Sequence, residues 1–455
     1  MNSRTELPLL SVFAGALQMM LPEGAGGAGD GACVSGVFAA ILTVVIVGVL
    51  CYMLYLIFRS VPSRPVDTRP IINDVIGADR ASARRPVSEE LVALASVDKT
   101  DPSFMPEAQQ SLVNFYALGT RFTGYLGPIE NGVFQPDEAV QLAVQGGSRV
   151  FVLEIDYIEE CRGDIMKYYP RIVVRDVHGR LLISKESSEP LCNTPEHSTI
   201  RTLCEKINFY AFASSAQNAA DPVIVVLYFL RQPPGSYKSK TVLDYYSHVA
   251  KALSPLRDRM IHNELEGGTF YRQKQEARLL TNRISDYSGK VLVFSNANTN
   301  GFREVDYPPN EDLDFLVNLR LHYTQTKLGV TENDSGAVFG ILQTAEDYLL
   351  IPSDRMEETA DNTKMRWTMC LAKDPSVPVS KEVYDKITRT YGVHCVPAVI
   401  FDKSNAFLFG EGYFQTYSFL PKPAELRHTI TVVIPAKSSE LLNANQGKLR
   451  APTIM

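Results

Sequence analysis

What this chain lacks narrows its chemistry before any motif is considered. No CxxC occurs, and no Cys/His group has zinc-ligand spacing, although seven cysteines and seven histidines are present. That excludes a dithiol redox centre and the common structural zinc modules. The cysteines are odd in number and scattered (Cys33, Cys51, Cys161, Cys192, Cys204, Cys370 and Cys395), which argues against a disulfide framework and suits a thiol-reducing compartment. There is no long basic block and the net charge is only −6, so a nucleic-acid backbone is a poor partner. No histidine precedes His178, an absence that becomes important below. What is present is otherwise ordinary: 455 residues, 45% hydrophobic and 21% charged, enough to bury a large core.

One segment departs from globular composition. Val37–Phe58 runs 22 residues without a charge, and 14 of them are Leu, Ile, Val or Phe. As a helix it would extend roughly 33 Å, enough to cross a hydrocarbon core of about 30 Å. At roughly −0.3 to −0.6 kcal/mol per large apolar residue, its insertion gains on the order of 4–8 kcal/mol. A cleaved signal peptide would be shorter and would begin earlier. Glu23 and Asp30 precede the segment, whereas Arg59, Arg64, Arg69, Arg80, Arg84 and Arg85 follow it. The positive-inside rule therefore predicts a single-pass protein with its C-terminal part on the cytoplasmic, or virion-internal, side of a lipid bilayer.

The expected organisation has five parts. Residues 1–36 form a flexible N-terminal segment that includes the glycine-rich Gly24–Ala32, and 37–58 form the membrane helix. Residues 59–108 form a Pro/Arg-rich tether, whose arginines either touch anionic headgroups or are merely solvated. Residues 109–430 form the main domain, and 431–455 a polar C-terminal extension. Within the main domain, strands are expected at Leu112–Leu118, Val150–Asp156, Arg171–Asp176, Pro222–Leu230, Lys290–Ser295, Tyr348–Pro352 and Cys395–Phe401. Helices are expected at Pro136–Val144, Thr199–Phe212, Val242–Leu253, Tyr271–Ile284 and Lys381–Tyr391. Such alternation predicts an α/β fold with a parallel sheet, either open or closed into a (β/α)₈ barrel.

Several stretches, in order, carry a resemblance. Gly147–Asp156 (GSRVFVLEID) is similar to the Gly-x-Arg…Glu-Leu-Asp strand of the phosphatidylinositol-specific phospholipase C X-domain. Ile172–Gly179 resembles that family's Val-Val-Tyr-His-Gly strand, and Ile207–Phe212 with Asp221–Tyr228 resembles its YAF…PVILSLE block. Gly289–Val293 resembles GKILI. Tyr348–Pro352 with Arg355, Asn362 and Trp367 resembles the strand-six run, and Phe419–Arg427 resembles the closing GYVLKPAFLR. The resemblance spans about Gln109–Ile430 and implies a distorted TIM barrel of the PLC-like phosphodiesterase type.

It also implies where chemistry should lie. Family members cleave a phosphodiester with two histidines, and eukaryotic-type members add a calcium ion held by Asn, Glu, Asp and Glu oxygens. Here the first histidine's stretch is Tyr116–Tyr125, which supplies Arg121 and neither the histidine nor the neighbouring Asn. Arg121 can contact phosphate but cannot exchange a proton near neutral pH. The second histidine position falls on His178 or, in the other alignment, on Arg175. The fourth metal ligand falls on Tyr228, and the lysine pair falls on Phe294 and Asn296. Glu154 and Asp156 remain, with a purely structural role as a strand-end pair satisfied by Arg175 or backbone donors.

Three functions follow as expectations. The first is a membrane-anchored pseudoenzyme with no cofactor, acting as a structural or binding module with protein partners; the resemblance extends to proteins of large DNA viruses and so to a virion membrane. The second is an active phosphodiesterase using His178, Glu154 and Asp156 with calcium. The third is a phosphoinositide reader with Arg121, Arg175 and Arg355 on phosphate. Smaller features carry less. Asp156, Glu159, Glu160 and Asp164 read as a solvated acidic loop and Lys238–Lys240 as a solvated basic one. His394 and Cys395 are adjacent in a strand and so cannot pair with each other. Tyr391–Asp402 resembles a thioredoxin strand but lacks the CxxC.

Overall fold

The structure is a computed structural model that describes residues 47–48, 52, 97–126, 133–162, 165–173, 199–261, 279–323, 339–374 and 377–429. The chain divides into Met1–Asp74 and Val75–Met455. In the first unit only Val47, Gly48 and Tyr52 are described, all helical. The expected membrane helix therefore lies almost entirely outside the described residues, as do the N-terminal segment and most of the tether and C-terminal extension. No helix of the described residues is long and apolar enough to cross a membrane.

The second unit is an α/β fold built on a parallel sheet. Its first strands are short: β1 (Phe115–Ala117), β2 (Gly119–Thr120), β3 (Tyr125–Leu126) and β4 (Val133–Phe134). The long β5 (Val150–Arg162) and β6 (Ile165–Ile172) follow, then β7 (Val223–Phe229), β8 (Val291–Ser295), β9 (Leu319–Tyr323), β10 (Phe339–Thr344), β11 (Thr368–Leu371) and β12 (Phe419–Pro421). Strands β2, β5, β7, β8, β9, β10 and β11 pair in parallel in that order. The segment Cys395–Ala398 joins the two edges through parallel bridges Met369↔Cys395 and Thr120↔Ala398. The sheet thus curls round as in a TIM-like barrel, with every stave end pointing to the same mouth.

Side-chain alternation explains the curl. Val150, Val152, Ile224, Val226, Leu292, Phe294, Leu319, Leu321, Leu342, Met369 and Cys395 share one buried cluster, the inner core. Their sequence neighbours Phe151, Leu153, Val223, Val225, Leu227, Val291 and Val293 belong to a second cluster with the helices. Residues buried on both faces give the continuous apolar runs seen in the sequence. The outer layer includes α1 (Pro136–Gln145), α2 (Thr199–Ala211) and α3 (Lys240–Ala252), close to their expected spans. It is completed by the short α4 (Leu313–Leu316), α5 (Ala345–Leu349), α6 (Met356–Met365) and α7 (Lys381–Asp385), the last continued by a π-turn, Lys386–Thr390.

Four strand expectations are corrected. Tyr348–Pro352 is not a strand: a reciprocal cap between Thr344 and Asp347 starts α5 at Ala345 and carries the apolar run into a helix. The staves of this region are instead β9, β10 and β11. The expected Arg171–Asp176 strand ends at Ile172 and belongs to a hairpin, antiparallel to β5 from Ile155↔Ile172 to Arg162↔Ile165. Leu112–Leu118 begins as a 3₁₀ turn, and its β1 pairs with β12 rather than serving as a stave. Cys395–Phe401 forms bridges without becoming a regular strand. Most of the Tyr271–Ile284 helix lies outside the described residues.

Candidate functional site in the barrel mouth

The C-terminal ends of the staves place named side chains around one opening. Continuing the inward alternation past Val152 puts Glu154, then Asp156, at the mouth, and past Gly119 it puts Arg121 there. Glu154 is paired in register with Tyr228 on β7. Gly119 leaves room for this packing, since a Cβ there would lie 2.5 Å from Cys395 Sγ.

Arg121 and Glu154 form a closed ion pair. Arg121 Nε donates to Glu154 Oε1 at 2.6 Å, and the two side chains are only 8% and 1% exposed. The guanidinium also donates from Nη1 to Ala372 O at 3.0 Å. Burial pushes the Glu154 carboxyl above the ordinary glutamate range, while the Arg121 charge and hydrogen bond pull it back. The cavity beside Arg121, lined by Ala372, Val379, Val396 and Pro397 among others, holds about 20 Å³. Ligand pockets generally need roughly 300–1,000 Å³.

Asp156 is likewise engaged. Its Oδ1 accepts from Arg231 Nε and from Tyr157 N, the latter at 2.8 Å. Arg231 lies over the Tyr157 ring, 3.9 Å from its centroid, so it is held from two sides. Nearby, Asn296 accepts from Phe229 N at 2.7 Å and donates to Phe229 O at 3.0 Å, occupying the position the resemblance assigns to a lysine.

Among the described residues, the donor set does not fit a calcium ion. One oxygen of each surviving carboxylate is committed to an arginine, and the fourth ligand position is Tyr228. Among the described residues, no group of three or more His, Cys, Asp or Glu is placed to hold a metal. A hard cation needs six to eight oxygens, and two guanidinium groups already supply positive charge here.

The remaining site expectations separate. His178 and Arg175 lie outside the described residues, as does Asp164. Arg355 lines a groove of about 300 Å³ with Ile341, Gln343, Asp347 and Glu358. Ile341 and Gln343 point away from the inner face of β10, so Arg355 is on the outer wall and does not join Arg121. Of the expected partners of the carboxylate pair, Arg175 lies outside the described residues and a backbone donor, Tyr157 N, does reach Asp156; Arg121 and Arg231 are the side chains that bond the pair. Arg231 was missed by sequence reasoning; its only signal is a position two residues beyond the β7 run. His394 and Cys395 diverge as strand geometry requires, with Cys395 in the inner core and His394 bonded to Thr368, Val113 and Lys422.

The fold is therefore an α/β barrel of TIM-like form with an ion-paired mouth. No family model matches the sequence. No curated protein matches it either. Solved structures do. The chain is similar to PLC21 of L. pealei (14% identity, TM-score 0.42) over 73% of its own length and 39% of that chain. S. officinalis PLC21 gives 15% identity and a TM-score of 0.44, with the same 73% and 39% coverage. A calcium-dependent phosphoinositol-specific phospholipase C from a Gram-negative Pseudomonas sp. gives 11% identity and a TM-score of 0.42, over 71% of this chain and 99% of that one. The chain thus spans about two-fifths of the two PLC21 proteins.

Proposed function

We propose that this protein is a phospholipase-C-like barrel whose catalytic mouth has become an ion-paired scaffold, and that it works as a non-catalytic binding module at a membrane. The observation that carries this reading is the 2.6 Å Arg121–Glu154 pair, formed where the sequence resemblance expects a proton-transferring histidine and a metal ligand. A guanidinium cannot act as a general base near neutral pH, and a carboxylate bonded to it is a poor ligand for a second cation. The active alternative would require Glu154 to leave Arg121. The headgroup-reader alternative loses Arg121 to Glu154 and leaves Arg355 in an outer groove, apart from Arg121.

Membrane association is supported from two directions. Val37–Phe58 has the length and composition of a spanning helix, and its flanking arginines favour a cytoplasmic or virion-internal barrel. In the barrel unit, Met166, Val305, Leu349, Leu350 and Val377 are exposed, Leu350 by 77% and Val377 by 58%. Each follows the C-terminal end of a stave or lies on the β5–β6 hairpin beyond it, so they belong to the mouth end of the barrel, Leu350 in the outer groove that also holds Arg355. A fully buried side chain of this kind contributes roughly 1.5–3 kcal/mol. Val75–Met455 is therefore expected to float with anionic phospholipid vesicles, and Leu350→Asp with Val377→Asp to weaken that binding at least about tenfold. Equal binding by the double variant would remove these side chains from the account.

A further inference from the structure

The opposite end of the barrel holds a second buried polar cluster that the mouth does not use. There β12 crosses the base, paired antiparallel with β1 through Phe115↔Pro421, Tyr116↔Leu420 and Ala117↔Phe419. The next residue, Lys422, is 0% exposed and His394 is 1% exposed. Lys422 Nζ lies 2.8 Å from His394 Nε2 and donates to Thr363 O at 3.1 Å. His394 Nε2 is also 2.8 Å from Val113 O.

Hydrogen-bond counting favours an uncharged pair. The Thr368 backbone N–H donates to His394 Nδ1 at 3.0 Å, so Nδ1 carries a lone pair. In a neutral imidazole the hydrogen is then on Nε2. An ammonium has three donors and no acceptor, and cannot face an Nε2–H at that distance. A neutral amine can: its lone pair shares the Nε2 hydrogen with Val113 O while one N–H serves Thr363 O. Among the described residues, no carboxylate bonds to either group.

We propose that Lys422 and His394 form a proton-operated latch, which when neutral ties the C-terminal strap Phe419–Thr429 across the barrel base and when protonated at Lys422 releases it. A charged Lys422 would lose its acceptor role with no counter-ion bonded to it among the described residues, and Lys364 on α6 acts on it with a charge of like sign. The groups facing the latch are few. Lys364 is itself paired with Asp361 at 2.8 Å, Glu425 on the strap is exposed, and Arg427 donates to Lys422 O and to Gln109. His428 is tied through its backbone to Asn114, while the 3₁₀ turn and β11 contribute Asn114, Thr368 and no charge. Burial holds Lys422 well below the ordinary lysine range, and burial with the neighbouring lysine lowers His394 as well.

The sign follows from these depressed values. The released strap binds a proton that the closed strap does not, so closure is favoured as pH rises towards the ordinary lysine value of about 10.4 and is lost as pH falls. One proton gives a tenfold change in opening per pH unit. The test uses the full chain with ¹³Cε-labelled lysine. One resonance is expected to be that of a neutral amine near pH 8 and to disappear in Lys422→Met. In pulse proteolysis, the ratio of strap cleavage in wild type to that in Lys422→Met is expected to fall about tenfold per unit between pH 7 and 9. A set of lysines all charged at pH 8, or a flat cleavage ratio, would overturn the latch. If Lys422→Met does not fold, the wild-type resonance alone decides.

Discussion

Arg121→Ala is expected to lower the stability of the barrel by about 3–5 kcal/mol, the range for removing one partner of a buried ion pair. The reason is the partner left behind. Glu154 is 1% exposed and its Oε1 is bonded to Arg121. Without the guanidinium it must be buried as an unpaired anion or take up a proton, and the Ala372 carbonyl also loses a donor. Replacing both residues, as Arg121→Met with Glu154→Leu, removes the stranded charge and should recover most of the loss. Urea unfolding of the two variants checks this. A loss below about 0.5 kcal/mol for Arg121→Ala, the level of an ordinary surface change, would mean that the pair is not formed.

Arg149→Leu should be at least as damaging. Arg149 is 0% exposed, and its guanidinium donates to Ala211 O at 2.7 Å and to Asn218 O at 2.6 Å. Ala211 is the last residue of α2, so Arg149 satisfies a helix-end carbonyl and complements the helix dipole. Its charge also offsets Asp221, whose carboxyl is pushed up by burial and held by Thr100 N at 3.1 Å and Thr100 Oγ1 at 2.9 Å. Leucine would leave two carbonyls without this donor and Asp221 without its nearby cation. The expected loss is about 3–5 kcal/mol in urea unfolding, and a loss under about 1 kcal/mol would contradict the anchoring role.

These two arginines show how far the sequence could be read. Arg149 lies in the Gly-x-Arg run that carries the resemblance, and the strands most visible in the sequence, β5, β7 and β8, are apolar on both faces because inner core and helices press on both sides. Where a stave is short or capped by polar side chains, apolar pattern misleads. The run at Tyr348–Pro352 looks like a strand, yet the Thr344–Asp347 cap turns it into α5. Meanwhile β10 contains a glycine, Gly340, and β11 has four residues, so neither stands out. Gly340 is required there because a Cβ would lie 2.8 Å from Trp367 O. In the mouth, the missing histidine was legible as a plain absence. The Arg121–Glu154 bond was not, because it joins residues 33 positions apart through the register of β2 on β5. Arg231 was hidden for the same reason, reaching back 75 positions to Asp156.

We propose that the mouth, occupied by its own arginines, does no phosphodiester chemistry. The most direct measurement is release of water-soluble inositol phosphate from phosphatidylinositol vesicles by the full-length chain, with millimolar calcium and with chelator. Loss of a general acid or base typically removes a factor of roughly 10²–10⁴ in rate, and here Glu154 and Asp156 are bonded to arginines. The account predicts release at the buffer rate under both conditions, unchanged by Glu154→Gln. Calcium-dependent release that Glu154→Gln abolishes would contradict it.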